Sequence, residues 1–210
     1  MVEALPALLR GLSVTMEISV LTIIFGLTLG FVLAFLRAFQ FRLINLPLLV
    51  FVDVFRAAPP LVILIFLFFG LPYAGLSISP FWCVVLALSG VLAALSEEIF
   101  WAGILSADDG QWDAGFVSGL GFPQILVLII IRQTINFVIP PLTNKVISIT
   151  KQSALASVVA VPELLNQAIM AQGVVANPSP LTAAALLYLA VFLPMVRFST
   201  WLERRYAVKR

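Results

Sequence analysis

Four stretches of this chain, about 14–36, 47–70, 80–103 and 181–201, stay apolar for the roughly 20 residues that a helix needs to cross the hydrocarbon of a bilayer. Hydrocarbon offers no water to unpaired backbone groups, so segments of this length must close their hydrogen bonds internally, as helices. The rest of the chain leaves little alternative. Of its 210 residues 62% are hydrophobic and 10% charged, whereas soluble domains carry about 25% charged residues. The expected fold is an all-α integral membrane bundle. A fifth candidate span lies within 122–159; it starts as Phe122-Pro123-Gln124-Ile125-Leu126, meets Arg132, and is interrupted by Pro140-Pro141. Hydropathy alone allows one span or two there.

Charge asymmetry chooses between them. Arg37 and Arg42 follow the first span, and Arg204, Arg205, Lys209 and Arg210 close the chain, whereas 71–79 carries no charge. The positive-inside rule places the 37–46 loop and the C-terminus in the cytoplasm. Both placements hold with the N-terminus outside and five spans, so 122–159 counts as one span. Residues 1–10 do not read as a cleavable leader, because the apolar run from Gly11 to Leu36 exceeds a signal h-region and has no small-residue cleavage pattern after it. Residues 160–180, with Pro162, Asn177, Pro178 and Pro180, read as an external connection. The expected organisation is one membrane domain over 11–203 and a basic cytoplasmic tail over 204–210 that anchors to anionic lipid.

Several function classes fall away. The chain has no histidine and one cysteine, Cys83, inside an apolar run. The commonest general base and metal ligand is therefore missing, and no intrachain disulfide can form. Asp108-Asp109-Gly110 has no further aspartates at a fixed spacing beyond Asp113, so neither a metal site nor an enzyme is expected. A net charge of +2 gives no reason to expect nucleic acid. No Gly-x-x-x-x-Gly-Lys-Ser/Thr loop is present to cradle phosphates.

The polar stretch Ser106–Gly121 stands out in so apolar a chain. Asp113-Ala114-Gly115, separated by three residues from Gly119, suits a short helix ended by a sharp turn, with Gly119 supplying the positive φ. The triplet alone is equally compatible with an ordinary solvated loop. Arg56 has two readings as well: a contact to a solute carboxylate or a gating role, or a structural pair with Asp53 three residues earlier or snorkelling to the cytoplasmic surface. Asn136, Asn144, Lys151, Gln152 and Ser153 make the segment around Pro140-Pro141 polar. Backbone freed by prolines is tolerated where it lines a cavity, which suggests a translocation path; the alternative is that the second half lies at the external interface. Gly26 and Gly30, four apart, form a small-residue face for close helix packing.

In its flanks the chain resembles the permease subunits of ABC importers of the polar amino acid branch. Gly110-Gln111-Trp112-Asp113-Ala114-Gly115 with Gly119 is similar to that family's cytoplasmic Gly-Gln-Trp-Glu-Ala-Ala loop and its spaced glycine. Phe51-Val52-Asp53-Val54-Phe55-Arg56-Ala57-Ala58-Pro59-Pro60-Leu61-Val62, Ser96-Glu97-Glu98-Ile99-Phe100, Ile139-Pro140-Pro141-Leu142-Thr143-Asn144 and Leu155-Ala156-Ser157-Val158-Val159 with Val161-Pro162-Glu163-Leu164 resemble further family segments in the same order. The resemblance runs from about Gly11 to the C-terminus.

It implies that residues 110–115 and Gly119 form a coupling element docking on cytoplasmic ATPases, which bind the ATP. It implies two more partners, a second permease subunit and an extracytoplasmic solute-binding protein, in a bacterial inner membrane, with no cofactor bound by this chain. The chain departs from the pattern at Asp113 for Glu, Gly115 for Ala, Trp101 for Arg, and Ile131-Arg132 for Leu-Pro. Glycine costs an exposed helix about 1 kcal/mol relative to alanine, so Gly115 predicts a weaker coupling helix and hence the divergent half of a heterodimeric pair. A rival reading is an ion-coupled secondary transporter of a small solute.

Overall fold

The computed structural model describes residues 4–206. Its elements are α1 (Leu5–Ala38), α2 (Arg42–Ala57), α3 (Pro60–Ala74), α4 (Pro80–Leu105), α5 (Asp109–Val117), α6 (Phe122–Val159), α7 (Leu164–Val175) and α8 (Ser179–Tyr206), with no strand among the described residues. The bundle is all-α, as its composition requires. Helices α1, α4, α6 and α8 are each long and apolar enough to cross a membrane.

The second expected span is not one straight helix. Helices α2 and α3 meet at 109°, and the sequence at the joint explains the bend. Each proline restricts the residue before it to extended backbone. Ala58 precedes Pro59 with ψ 134°, and Pro59 precedes Pro60 with ψ 135°. Two consecutive residues therefore leave the helical region. Among the described residues there are four continuous helices long enough to span, and a fifth candidate if the bent α2–α3 pair counts as one span. The prolines of α6 act differently: Pro140 and Pro141 remain inside a continuous helix. Around this chain's Leu126–Ile130 the same helix passes one widened, π-type turn, and it ends in a tighter 3₁₀ stretch over Gln152–Val159.

The connection expected over 160–180 is also more than a loop. It contains α7, whose first residue Leu164 and Ala168 are buried with Leu8, Ala183 and Ala184. Glu163 caps it, accepting hydrogen bonds from the backbone N–H groups of Leu165 (2.9 Å) and Asn166 (2.7 Å). At the other end of the chain, Arg204 and Arg205 belong to the last turn of α8, and residues 207–210 of the expected tail lie outside the described residues.

Helix α4 is the core. Burial covers 72% of its most apolar stretch, against 6% for α8. The α1–α4 seam is built on the expected glycines. A Cβ on Gly30 would lie 2.1 Å from Ser96 Oγ and 2.7 Å from the Ala93 carbonyl oxygen, and one on Gly26 would lie 2.7 Å from Leu92 Cβ. At this depth only glycine lets the two backbones approach.

Near the end of the seam sits Glu97, fully buried, with Arg37 Nη1 donating to its carboxylate oxygens at 3.0 and 3.3 Å. The guanidinium of Arg37 lies 4.6 Å from the centre of the Trp101 ring. Stripping one partner from a buried pair leaves an unneutralised charge and costs about 3–5 kcal/mol. Arg37→Leu is therefore expected to lower the thermal midpoint in detergent sharply, and Arg37→Leu with Glu97→Leu to recover most of the loss. Gly30→Ala should lower the midpoint by forcing the seam apart, at about 1–3 kcal/mol for overpacking. Labelling of the buried Cys83 thiol by a maleimide fluorophore during heating reads all three.

Candidate functional site

The stretch 106–121 folds as the sequence predicts, into a short helix with a designed start and stop. Asp108 is its N-cap, its carboxylate accepting the Gly110 N–H at 2.7 Å. Asp109 follows in the first turn, where the helix dipole favours an anion. At the other end Gly119 takes φ +79°; its N–H bonds to the Phe116 carbonyl at 3.0 Å, and the Leu120 N–H to the Gly115 carbonyl at 3.1 Å. This is a Schellman closure, and it requires the left-handed conformation that glycine adopts without strain.

Helix α5 has a fixed back and a free front. On the back, Trp112 stacks on Phe122 at 5.2 Å with ring planes 17° apart, and Gln111 Oε1 accepts a hydrogen bond from Gln133 Nε2 at 2.9 Å. Phe122 in turn meets Phe39 edge-on at 5.4 Å, at the end of α1. Gly115 is buried, and a Cβ there would lie 2.7 Å from Ile125 Cγ1. On the front, Gly110, Asp113, Ala114 and Val117 face solvent, Val117 almost fully. The departure at Gly115 is therefore not the weakness it suggested: the missing methyl group is the space that Ile125 fills.

The residues expected along a translocation path divide into three groups. Arg56 is engaged, Nη2 donating to Asp53 at 3.1 Å and Nη1 to Glu98 of α4. The pair with Asp53 is one of the readings open in the sequence; Glu98, 42 residues away, was not legible as a second partner. Asn136 is exposed on α6 and stands apart from the others. Asn144, Lys151 and Gln152 come together around two cavities.

The smaller cavity, about 380 Å³, is lined by Asn144, Ser148, Lys151, Ser199, Thr200 and Glu203. There Asn144 Nδ2 donates to Glu203 Oε1 at 2.6 Å, and Ser199 Oγ to Asn144 Oδ1 at 3.2 Å. Ser199 and Glu203 carried no recognisable signal, because the pairing depends on how α8 lies along α6. The larger cavity, about 570 Å³, opens where the α2–α3 bend faces the end of α6, between Pro59, Pro60 and Leu61 and Lys151, Gln152, Leu155 and Val158. Ser153 is buried beside them, and neither its hydroxyl nor Gln152 Oε1 has a hydrogen-bond partner.

A further polar cluster went unread in the sequence. Glu163 Oε2 accepts the Tyr188 hydroxyl at 2.8 Å, while the Leu164 N–H bonds to Thr15 Oγ1 at 3.1 Å, tying α1, α7 and α8 together. Burial pushes the Glu163 carboxyl up from its ordinary pKa, with the backbone donors of α7 pulling the other way. The one available signal was an acid placed just before an apolar run, the position of an N-cap.

A family model described as "Binding-protein-dependent transport system inner membrane component" matches residues 26–208. The arginine transport system permease protein ArtQ of Bacillus subtilis is 32% identical, over 97% of this chain and 94% of its own length. The glutamine transport system permease protein GlnP of Escherichia coli K12 is 33% identical, over 98% and 95%. Among solved structures, an amino acid ABC transporter determined with histidines superposes with a TM-score of 0.88 at 30% identity, covering 98% of this chain and 96% of that one. The MetNI methionine ABC transporter in an inward-facing conformation shares the fold, with a TM-score of 0.71 at 17% identity.

The packing of α5 makes a specific expectation. Gly115→Ala should loosen the helix from α6 despite alanine's higher helix propensity, seen as faster proteolysis within 106–121. Adding Ile125→Ala, which removes the Cγ1, Cδ1 and Cγ2 atoms that stand 2.7, 2.8 and 3.2 Å from the added Cβ, should restore much of the protection.

Proposed function

Because the chain belongs to the family of binding-protein-dependent transport system inner membrane components, we propose that it is the permease subunit of an ATP-driven importer for a polar amino acid in a bacterial inner membrane. The observation that carries this reading is α5, a short helix fixed to the bundle by its back and presenting Asp113, Ala114 and Val117 outward. Such a helix transmits force in both directions. A cytoplasmic ATPase that grips the free face moves Trp112 and Gly115, and with them Phe122 and Ile125 at the start of α6.

In this reading Gly110, Gln111, Trp112, Asp113, Ala114, Gly115 and Gly119 form the coupling element, and ATP is bound and hydrolysed by the partner ATPase. The N-terminus lies outside and the C-terminus in the cytoplasm, with 11–203 as the membrane domain and 204–210 as its basic tail. The chain pairs with a second permease subunit, identical or related, and receives solute from an extracytoplasmic binding protein. Solute passes along α6, past Asn136, Asn144, Lys151, Gln152 and Ser153. Arg56 acts at the α2–α4 contact through its ion pairs with Asp53 and Glu98.

Ion-coupled secondary transport fits less well. A proton relay needs a series of ionisable carboxylates within the membrane, whereas Glu97 and Glu98 are each paired with an arginine and Glu17 stands alone in the first turns of the first span.

Co-purification with the candidate ATPase tests the coupling role. The native chain is expected to retain the ATPase. Asp113→Lys reverses the charge on the free face, and Gly119→Pro cannot take φ +79°; together they should abolish association while leaving the thermal midpoint of the bundle nearly unchanged. Equal recovery of ATPase with both chains would remove α5 from the interface.

A further inference from the structure

Behind α5 two cavities join into one groove, and we infer that this groove holds a phospholipid with an ammonium-bearing headgroup. The inner part, about 110 Å³, lies between α1, α4 and α6 and is walled by Phe31, Phe35, Phe100, Ile131, Ile135 and Val138. Thr134 is the polar side chain that lines it, and its hydroxyl already donates to the Ile131 carbonyl at 3.3 Å. An apolar cavity of this kind does not hold water. In a bilayer the apolar body that can fill it is a hydrocarbon chain.

The outer part, about 280 Å³, opens at the end of the bundle that carries α5. Ile104 lines both parts, and Ala34 of the inner one stands one helical turn from Ala38 of the outer one. Along α1 the lining from Phe31 to Ala38 covers roughly 10 Å. The groove therefore stays within one leaflet, whose hydrocarbon is about 15 Å deep, half of the core. The walls change on the way out. Trp101, Trp112, Phe116 and Phe122 line the mouth, the aromatic composition of a membrane interface, and Gln40 and Asp109 join them. An apolar slot leading to an aromatic and polar mouth has the profile of a lipid.

The charge at the mouth selects the headgroup. Asp109 lines it without a basic side chain beside it, and has no ion pair among the described residues. The Arg37 guanidinium lies 4.6 Å from the centre of the Trp101 ring, but it is neutralised by Glu97 and does not line the cavity. The helix dipole explains an anion in the first turn of α5; it does not explain a cavity beside that anion. An ammonium can meet the carboxylate and the Gln40 amide oxygen while resting against aromatic rings, whose faces attract cations. A phosphoglycerol headgroup would bring its phosphate to the same carboxylate with no counter-charge. This preference runs against the general field of the surface. Arg42, two residues after Gln40, and Arg132, next to Ile131, are exposed and draw anionic lipid to this end. Trp101 is also one of the chain's departures from the family pattern, so the mouth is a feature of this chain. The lipid touches α5 from behind, through Trp112 and Phe116, and becomes part of that helix's support.

The test is tryptophan fluorescence of the full chain in phosphatidylglycerol nanodiscs containing a rising fraction of a lipid with brominated acyl chains, either phosphatidylethanolamine or phosphatidylglycerol. Trp82→Phe and Trp201→Phe, at two half-exposed positions, leave Trp101 and Trp112 of the mouth as the emitters. Brominated phosphatidylethanolamine is expected to reach half-maximal quenching at a mole fraction about three- to tenfold below that of brominated phosphatidylglycerol, the range for an ammonium held by a carboxylate and aromatic rings. Asp109→Asn should make the two lipids equal. Ile135→Phe, which narrows the slot, should raise the fraction of phosphatidylethanolamine needed several-fold. Protection of the buried Cys83 thiol shows that each variant is folded. Equal quenching by the two lipids before either change would overturn the inference, as would stronger quenching by phosphatidylglycerol, the mark of general attraction to a basic surface. A preference for phosphatidylethanolamine that survives Asp109→Asn would overturn the headgroup assignment, and one indifferent to Ile135→Phe would overturn the placing of the chain.

Discussion

Everything in this bundle is arranged around a carboxylate that has no access to water. Glu97 lies in α4, the helix that the others surround, and its charge is tolerable because Arg37 reaches it from α1. For that reach to succeed α1 and α4 must lie almost backbone to backbone, which is what Gly26 and Gly30 permit. The requirement therefore runs both ways. Without the glycines the arginine would stand too far off; without the arginine the carboxylate could not remain in the seam. Trp101, an unexpected residue at this position, covers the guanidinium from one side and keeps the pair out of the surrounding medium.

The same corner of the molecule carries the coupling helix. Two residues beyond Arg37, Phe39 closes α1 and touches Phe122, which stacks on Trp112 of α5. A displacement of α5 thus meets a chain of large, flat side chains with little room to yield, leading to the end of α1 that carries Arg37. Packed aromatic contacts resist compression because interiors already have the density of organic crystals. The coupling helix is consequently better regarded as the exposed end of a rigid unit that includes α1, α4 and the start of α6 than as a loop that happens to be helical.

Much of this was legible beforehand because it depends on local chemistry. Composition determined the medium, apolar length determined the spans, and Gly119, three residues clear of the triplet, announced the end of α5. What could not be read depends on the relative placement of distant segments. The α2–α3 bend hid inside an apolar run that hydropathy counts as one span, although Pro59-Pro60 carried its cause. Helix α7 was obscured by prolines and an asparagine at its flanks. The pairs Arg37–Glu97, Arg56–Glu98 and Asn144–Glu203 join residues 42 to 60 positions apart, and no local pattern specifies them. Gly115 is the sharpest case: judged by propensity it weakens a helix, and judged by its neighbour Ile125 it lets that helix dock.

The measurement that bears most directly on this account is solute accumulation in proteoliposomes containing the chain, its partner permease and the ATPase, with the binding protein added outside. The account predicts uptake of a polar amino acid that requires enclosed ATP and the binding protein and is indifferent to an imposed proton or sodium gradient. Uptake by the chain without the ATPase, driven by such a gradient, would contradict it.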